Sequence, residues 1–312
     1  MFRKLFASPA IRYGVSIVLI LTLVLAFPGT RALAGEFLNL FRVQRVTVVP
    51  VDFTGMQQFE GAVGNDISQM ISQSITMDQE PGDPTQVKDV AEASQLAGFT
   101  VRAPADMTPS QINVMSGASF TVKVDRAKAQ ALLEEAGRSD LILPQEVDGA
   151  DVSVNIPSSV SIAFGNCPQP SNEGEVARDM EREKSTSGSP GRTYKDCIIF
   201  AQIPSPEVSA PASLDIAKLA QLGLQFTGMT ADEAAKFTST VDWTSTLVVP
   251  IPKNAATNEQ IAVDGVTGTL IERPSDDAPQ FALLWVKDGI IYTIGGLGNN
   301  AEKALEIANA LP

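Results

Sequence analysis

The alternation of apolar and polar positions divides the chain into a membrane-sized apolar run, a mixed centre and a β-patterned C-terminal part. Near the start, Arg3, Lys4 and Arg12 precede an uncharged run from Tyr13 to Thr30, with a dense apolar centre from Val15 to Phe27. Val43–Val51 is rich in β-branched residues and predicts a strand. Phe59, Val63, Ile67, Ile71 and Ile75 recur every four residues, the stripe of a helix over Met56–Ile75. Asp78–Thr85, with Pro81-Gly82 and Pro84, reads as a linker. Val87–Leu96 reads as a short helix ending at Gly98, followed by a strand over Phe99–Arg102. Ile112–Met115 and Phe120–Val124 read as a strand pair turning at Ser116-Gly117. Asp125 then caps a helix to Glu135, ended by Gly137.

Val152–Ile156 continues the β pattern, and Pro204–Pro211 reads as an extended proline-rich connector. Two helices follow, Leu214–Leu222 and Thr230–Thr238, the second with a Thr230/Glu233 capping box. The pattern is clearest after that. Leu247–Ile251, Gln260–Val263, Val266–Glu272, Phe281–Lys287 and Ile290–Gly295 predict strands, with hairpin turns at Asp264-Gly265 and Asp288-Gly289. Asn300–Leu311 is amphipathic, with Ala304, Leu305, Ala308 and Leu311 on its apolar face. The expected fold class is α+β: antiparallel sheet meanders with flanking helices and a C-terminal helix docked on the sheet. Three regions follow from this pattern. They are an N-terminal segment 1–34, a juxtamembrane α+β subdomain 35–155, and a C-terminal α+β domain 156–312.

The N-terminal run has two readings, both of which place the body outside the cytoplasm. A cleavable export signal needs a basic end, a short apolar region and small residues at the cut; Val15–Phe27 and Ala32-Leu33-Ala34 fit, with cleavage before Gly35. A signal anchor needs about 20 apolar residues for a core about 30 Å thick. The 18 uncharged residues 13–30 reach about 27 Å as a helix, enough to span. The expected location is the cell membrane, single-pass, with the body extracytoplasmic, or the exterior if the chain is cut after Ala34.

Charge narrows the partners. The chain has 23 Lys+Arg and 36 Asp+Glu; without the four basic residues of 1–34 the body carries 19 against 36, a balance of −17. Such a body is repelled by phosphate backbones, so nucleic acid is not an expected partner. Histidine is absent from the sequence, which removes the commonest general base and the usual zinc ligand. The chain therefore reads as a non-enzyme without a cofactor or metal. Cys167 and Cys197 are the two cysteines and, in an oxidising compartment, an isolated pair forms a disulfide. That bond would clamp the polar loop 168–196 between strands Val160–Phe164 and Ile198–Ile203, worth about 3.5 kcal/mol on the chain-entropy model.

Other candidate chemistry is weak. Gly295-Gly296-Leu297-Gly298 follows a strand and opens a helix, but only residues 299–312 come after it, so no second parallel strand with a ribose-binding acid is expected. The glycines read as a tight turn. Asp78, Glu80 and Asp83 do not have the spacing of a calcium loop. Asp276-Asp277 and Glu134-Glu135 are adjacent pairs, whereas glycoside hydrolysis needs carboxyls facing each other across a cleft. Trp243, Trp285 and Tyr292 are candidate groove or core aromatics. Trp285 and Tyr292 straddle the Asp288-Gly289 turn and are expected as cross-strand neighbours.

Several stretches resemble a known domain: Val263-Asp264-Gly265-Val266-Thr267-Gly268, then Leu284-Trp285-Val286-Lys287-Asp288-Gly289-Ile290-Ile291-Tyr292, then Ala304 to Leu311. Phe37-Leu38-Asn39-Leu40-Phe41-Arg42-Val43 and Gly98-Phe99 with Pro104 add to the likeness. Together they are similar to a bacterial extracytoplasmic domain of unknown function that follows the transmembrane helix of anti-sigma-factor-like proteins. The likeness covers about half the chain, in pieces, and its motifs belong to a fold. It implies an outside sensory or binding domain and brings no functional residues with it. Such proteins carry a cytoplasmic sigma-binding module before the span; here about 12 residues precede it, so relay through a second protein is expected. The expected function is a membrane-anchored, non-enzymatic binding or sensory domain for a partner protein, lipid or envelope ligand. A carboxylate-dependent extracytoplasmic hydrolase and a structural envelope protein are the alternatives.

Overall fold

Strand-forming residues recur along the whole chain, and the sheets they build draw on distant segments. The computed structural model describes residues 41–52, 72–167, 197–253, 256–273, 280–297 and 301–312. The apolar run 13–30, the stripe from Phe59 to Ile71, the loop 168–196, Asp276-Asp277 and Gly298 lie outside the described residues. In chain order the first strands are β1 (Phe41–Arg42), β2 (Arg45–Val51), β3 (Ile75–Gln79) and β4 (Thr85–Val87), followed by helix α1 (Val90–Ala97). Next come β5 (Gln111–Met115), β6 (Ala118–Lys123), α2 (Arg126–Glu135), β7 (Asp151–Ile156), β8 (Ser159–Phe164), β9 (Ile198–Pro204) and β10 (Glu207–Ser209). Helices α3 (Ile216–Phe226) and α4 (Ala231–Thr240) lead into β11 (Thr246–Pro252). The chain continues through β12 (Thr257–Val263), β13 (Val266–Arg273), β14 (Gln280–Lys287), β15 (Ile290–Leu297) and α5 (Ala301–Asn309).

The fold is α+β, as the pattern predicts. An eight-stranded antiparallel sheet has the order β12-β13-β14-β15-β9-β8-β5-β4. Its meander is held by two hairpin turns in which both central residues have positive φ, 52° and 78° at Asp264-Gly265, 53° and 76° at Asp288-Gly289. This is the type I′ geometry, whose twist matches that of the strands. Gly268 on β13 has a different reason to be glycine: a Cβ there would meet Val263 Cγ1 at 2.4 Å and Leu284 O at 3.0 Å. The core lies on one face of this sheet, where Ile162, Phe200, Leu283, Trp285 and Ile294 are fully buried with Ala304, Ile307 and Ala308 of α5. Each of the Ile, Leu and Phe side chains contributes about 1.5–3 kcal/mol by leaving water. Helix α5 docks as expected, with one change of residue. Ile307, not Leu305, is fully buried, because Leu305 is turned to the margin of the contact.

A second antiparallel sheet has the order β1-β10-β7-β6-β3. The third is the parallel pair β2/β11, in register from Arg45↔Thr246 to Val51↔Pro252. Val49 and Val51 of β2 pack with Leu224 of α3 and Ala234 of α4 into a smaller core.

Several local expectations change once these long-range partners are in place. Strands β5 and β6 form on either side of Ser116-Gly117 but do not pair with each other. Strand β5 joins β8 and β4, while β6 joins β7 and β3, so the chain crosses between sheets at that point. Ile75 begins β3 rather than ending a helix, and the expected linker from Asp78 starts inside that strand. Phe99–Arg102 is not a strand. The Pro204–Pro211 connector contains β10, which pairs with β7 and β1. Strand β11 leaves the meander for its parallel partner β2. The boundary expected after residue 155 runs through shared structure. The eight-stranded sheet takes β4 and β5 from one side of it and β8 onward from the other, and residues 41–312 form one compact unit. Among the described residues no helix is long and apolar enough to cross a membrane.

Candidate functional site

The local signals that the pattern makes strongest place three charged side chains together. Asp89 caps α1, and Gly98 ends it in the left-handed conformation, so the chain turns out of the helix toward Arg102. There the amide side chain of Gln202, fully buried on β9, substitutes for a neighbouring strand. Its Nε2 donates to Arg102 O at 2.7 Å, and its Oε1 accepts from Arg102 N at 2.9 Å. Arg102 is thereby aimed at the β12–β13 turn.

Asp264 of that turn is the centre of the cluster, its side chain 6% exposed. Arg102 grips it with both terminal nitrogens, Nη1 to Oδ2 at 2.5 Å and Nη2 to Oδ1 at 2.9 Å. Lys287, at the end of β14, donates to Oδ1 at 2.7 Å and to Asp264 O at 2.9 Å. The Trp285 indole donates to Oδ2 at 3.2 Å. The amide of Asp264 itself donates to Asn309 Oδ1 at 2.8 Å. Arg102 also reaches the residues after α5: Nε donates to Pro312 O at 2.8 Å and Nη2 to Leu311 O at 3.3 Å. Its guanidinium lies 5.5 Å from the Tyr292 ring centroid, a cation–π contact.

The electrostatics follow from this set of partners. Burial opposes the ionised form of Asp264, but hydrogen bonds from Arg102, Lys287 and Trp285 outweigh it and hold the carboxyl below the ordinary range. The same hydrogen bond to Asp264 raises Arg102 further above its ordinary value. A general acid or base works best when it titrates near the operating pH. Asp264 and Arg102 are both driven the other way. Every guanidinium nitrogen is engaged, and both carboxylate oxygens accept two donors or more. The cluster ties four pieces of chain together rather than presenting a reactive group.

Below Arg102 lie the aromatics. Trp285 and Tyr292 are directly opposite on β14 and β15 and stack at 5.1 Å, and Phe200 stacks on both at 6.1 and 6.0 Å. Trp285 and Tyr292 are thus core residues and cross-strand neighbours. Trp243 is elsewhere, half-buried in the turn between α4 and β11, with its indole donating to Thr238 O at 3.1 Å. The three expected groove aromatics do not converge. Gly295 and Gly296 lie inside β15, not in a turn; a Cβ on Gly296 would meet the Phe281 ring at 2.7 Å, so that glycine makes room for a neighbouring side chain.

Cys167 and Cys197 form a disulfide, with Cα atoms 4.7 Å apart. It closes beyond the Phe164↔Ile198 register pair, where the two strands were expected to be clamped. Two shallow depressions of about 350 Å³ each lie elsewhere on the surface. The first holds Asp125 and Asp148 near Lys123 and Lys128. Both carboxylates are occupied there by backbone at the start of α2: Asp125 accepts from Lys128 N and Asp148 from Arg126 N. The second lies beside the start of α1, where Asp89 likewise caps the helix. Glu134 and Glu135 are exposed on α2.

Pattern alone did not reveal Arg102, Asp264, Lys287 and Gln202 as a group. Asp264 already had a sufficient local role as a turn former, and Arg102 sat at the edge of an expected strand. One signal was available: two cationic residues and an aspartate at the ends of otherwise apolar β runs. Comparison with protein-family models, with curated proteins and with solved structures finds no match to this chain.

Proposed function

We propose that the chain is a membrane-anchored extracytoplasmic domain that binds a partner protein or an envelope ligand and performs no chemistry of its own. In this reading residues 13–30 hold it in the membrane, and residues 41–312 work outside, as the resemblance to extracytoplasmic domains of anti-sigma-factor-like proteins implies. The observation that carries the reading is the Cys167–Cys197 disulfide. Such bonds persist in oxidising compartments, which agrees with the basic-then-apolar start of the sequence. The buried charged cluster supports the non-enzymatic part, since its groups are spent on internal bonds. A hydrolase would need two carboxylates free to face a substrate. Asp125 and Asp148, which share a depression, instead cap backbone amides.

The test is topological. An alkaline phosphatase fusion after residue 45 should be active in a bacterial host, and the thiols of the full-length chain should resist alkylation until reduced. An inactive fusion with freely alkylated Cys167 and Cys197 would place the body in the cytoplasm and overturn the proposal. The mass of the membrane-extracted chain then separates anchor from signal: an intact N-terminus, or one beginning at Gly35.

A further inference from the structure

The cluster around Asp264 has a composition that makes it conditional. One carboxylate faces two cations, and all three sit at ion-pair distance, at 2.5 and 2.7 Å. Arg102 faces Asp264 from the segment after α1, and Lys287 and the Trp285 indole face it from β14. From α5 it meets the Asn309 side chain, and the Tyr292 phenol of β15 lies beneath Arg102. The other acid at the end of α5, Glu306, is turned outward to Lys303 at 2.9 Å. Among the described residues Asp264 is therefore the side-chain carboxylate that pairs with both Arg102 and Lys287, while Arg102 Nε also holds Pro312 O. We propose that Asp264 is an acid-operated latch: protonating it frees the end of α5 and the β12–β13 turn while the stacked core of the eight-stranded sheet remains folded.

A neutral Asp264 leaves two cations close together without the carboxylate they share, and removing one partner of a buried pair is far more costly than the pair is worth intact. Lys287, 32% exposed, can swing into water; Arg102, 14% exposed and held over Tyr292, cannot do so without releasing Leu311 and Pro312. The parts it lets go are weak by themselves. Helix α5 has nine residues, and helices that short need tertiary support. The core under it is apolar, from Ile162, Phe200, Leu283 and Ile294, and does not titrate. The direction is fixed by linkage: a depressed carboxyl pKa gives stability that is present above the unfolded value. It is lost as pH falls through the folded value. The latch therefore opens in acid, below the ordinary aspartate range near 3.8. It does not depend on the function proposed above.

Two readouts on the disulfide-intact chain test it. Amide exchange by mass spectrometry, corrected for the intrinsic pH dependence, is followed from pH 7 to 2.5 in residues 301–312 and in β9. Over that interval the protection of residues 301–312 should fall about tenfold further than that of β9, since they belong to the low-stability end of the fold. In a Trp243→Phe variant, Trp285 is the only remaining tryptophan, and its emission should shift over the same pH interval. Asp264→Asn should show the unlatched exchange already at pH 7, with β9 still protected. Loss of 301–312 together with β9, or protection of 301–312 that Asp264→Asn leaves unchanged, overturns the proposal. If the Asn variant fails to fold, the wild-type pH series decides alone.

Discussion

Two turns in this protein have the same sequence, the same backbone and opposite fates. Asp264-Gly265 and Asp288-Gly289 both join adjacent strands of the eight-stranded sheet, and their φ values agree within two degrees. Yet Asp288 is exposed, while Asp264 is buried beneath Arg102, Lys287 and Trp285. The backbone demand is met by Asp-Gly in either place. What differs is what the tertiary structure brings to the carboxylate. A residue chosen for its turn chemistry has, at one of two equivalent positions, become the counter-ion of a buried site.

Substitutions at the two turns separate their shared backbone from their different surroundings. The largest effect is expected from Asp264→Asn, which keeps the turn preference but removes the charge. Denaturant unfolding should show a loss of about 3 kcal/mol, since Arg102 and Lys287 are left without their anion. Replacing Gly265 or Gly289 by Ala tests the shared part. Each should cost about 1–2 kcal/mol, and by similar amounts, because each places a Cβ in the left-handed region. A much larger loss at Gly265 would mean that the two backbones are not equivalent. Lys287→Met should cost about 1 kcal/mol, less than Asp264→Asn, because the ammonium is partly exposed and its pair is screened by solvent. The difference from wild type should shrink in high salt. Asp288→Asn should be the mildest, within about 0.5 kcal/mol, as expected for a surface position with no buried partner. Equal losses for the two Asp→Asn variants would remove the distinction between the turns.

The same contrast explains how much could be read from sequence. The β12–β15 meander, the Thr230 capping box and the Gly98 stop were legible because each is decided by a few neighbouring residues. The disulfide was legible because two cysteines leave a single pairing. Partners far along the chain were not legible. Ser116-Gly117 reads as a hairpin turn, yet β5 pairs with a strand beginning at Ser159, and nothing local to Gln111–Met115 names it. Strand β11 looks like the first strand of the meander until Arg45–Val51, about two hundred residues earlier, claims it in parallel. The Asp264 site failed to show for the same reason. Arg102 and Asp264 are separated by 162 residues, and each has a sufficient local explanation.

The order of strands in the eight-stranded sheet also constrains how the chain comes into being. Strand β9 lies in its middle, between β8 on one side and β15 on the other. The early strands β4 and β5 reach the C-terminal meander only through that junction. A chain emerging from N- to C-terminus therefore holds half a sheet, with β9 presenting an open edge, until residues 290–297 have been made. Such non-local pairing is slow to form. That delay leaves β9 unpaired on one side while β12, β13 and β14 are being made, and completion of the sheet waits on its last strand.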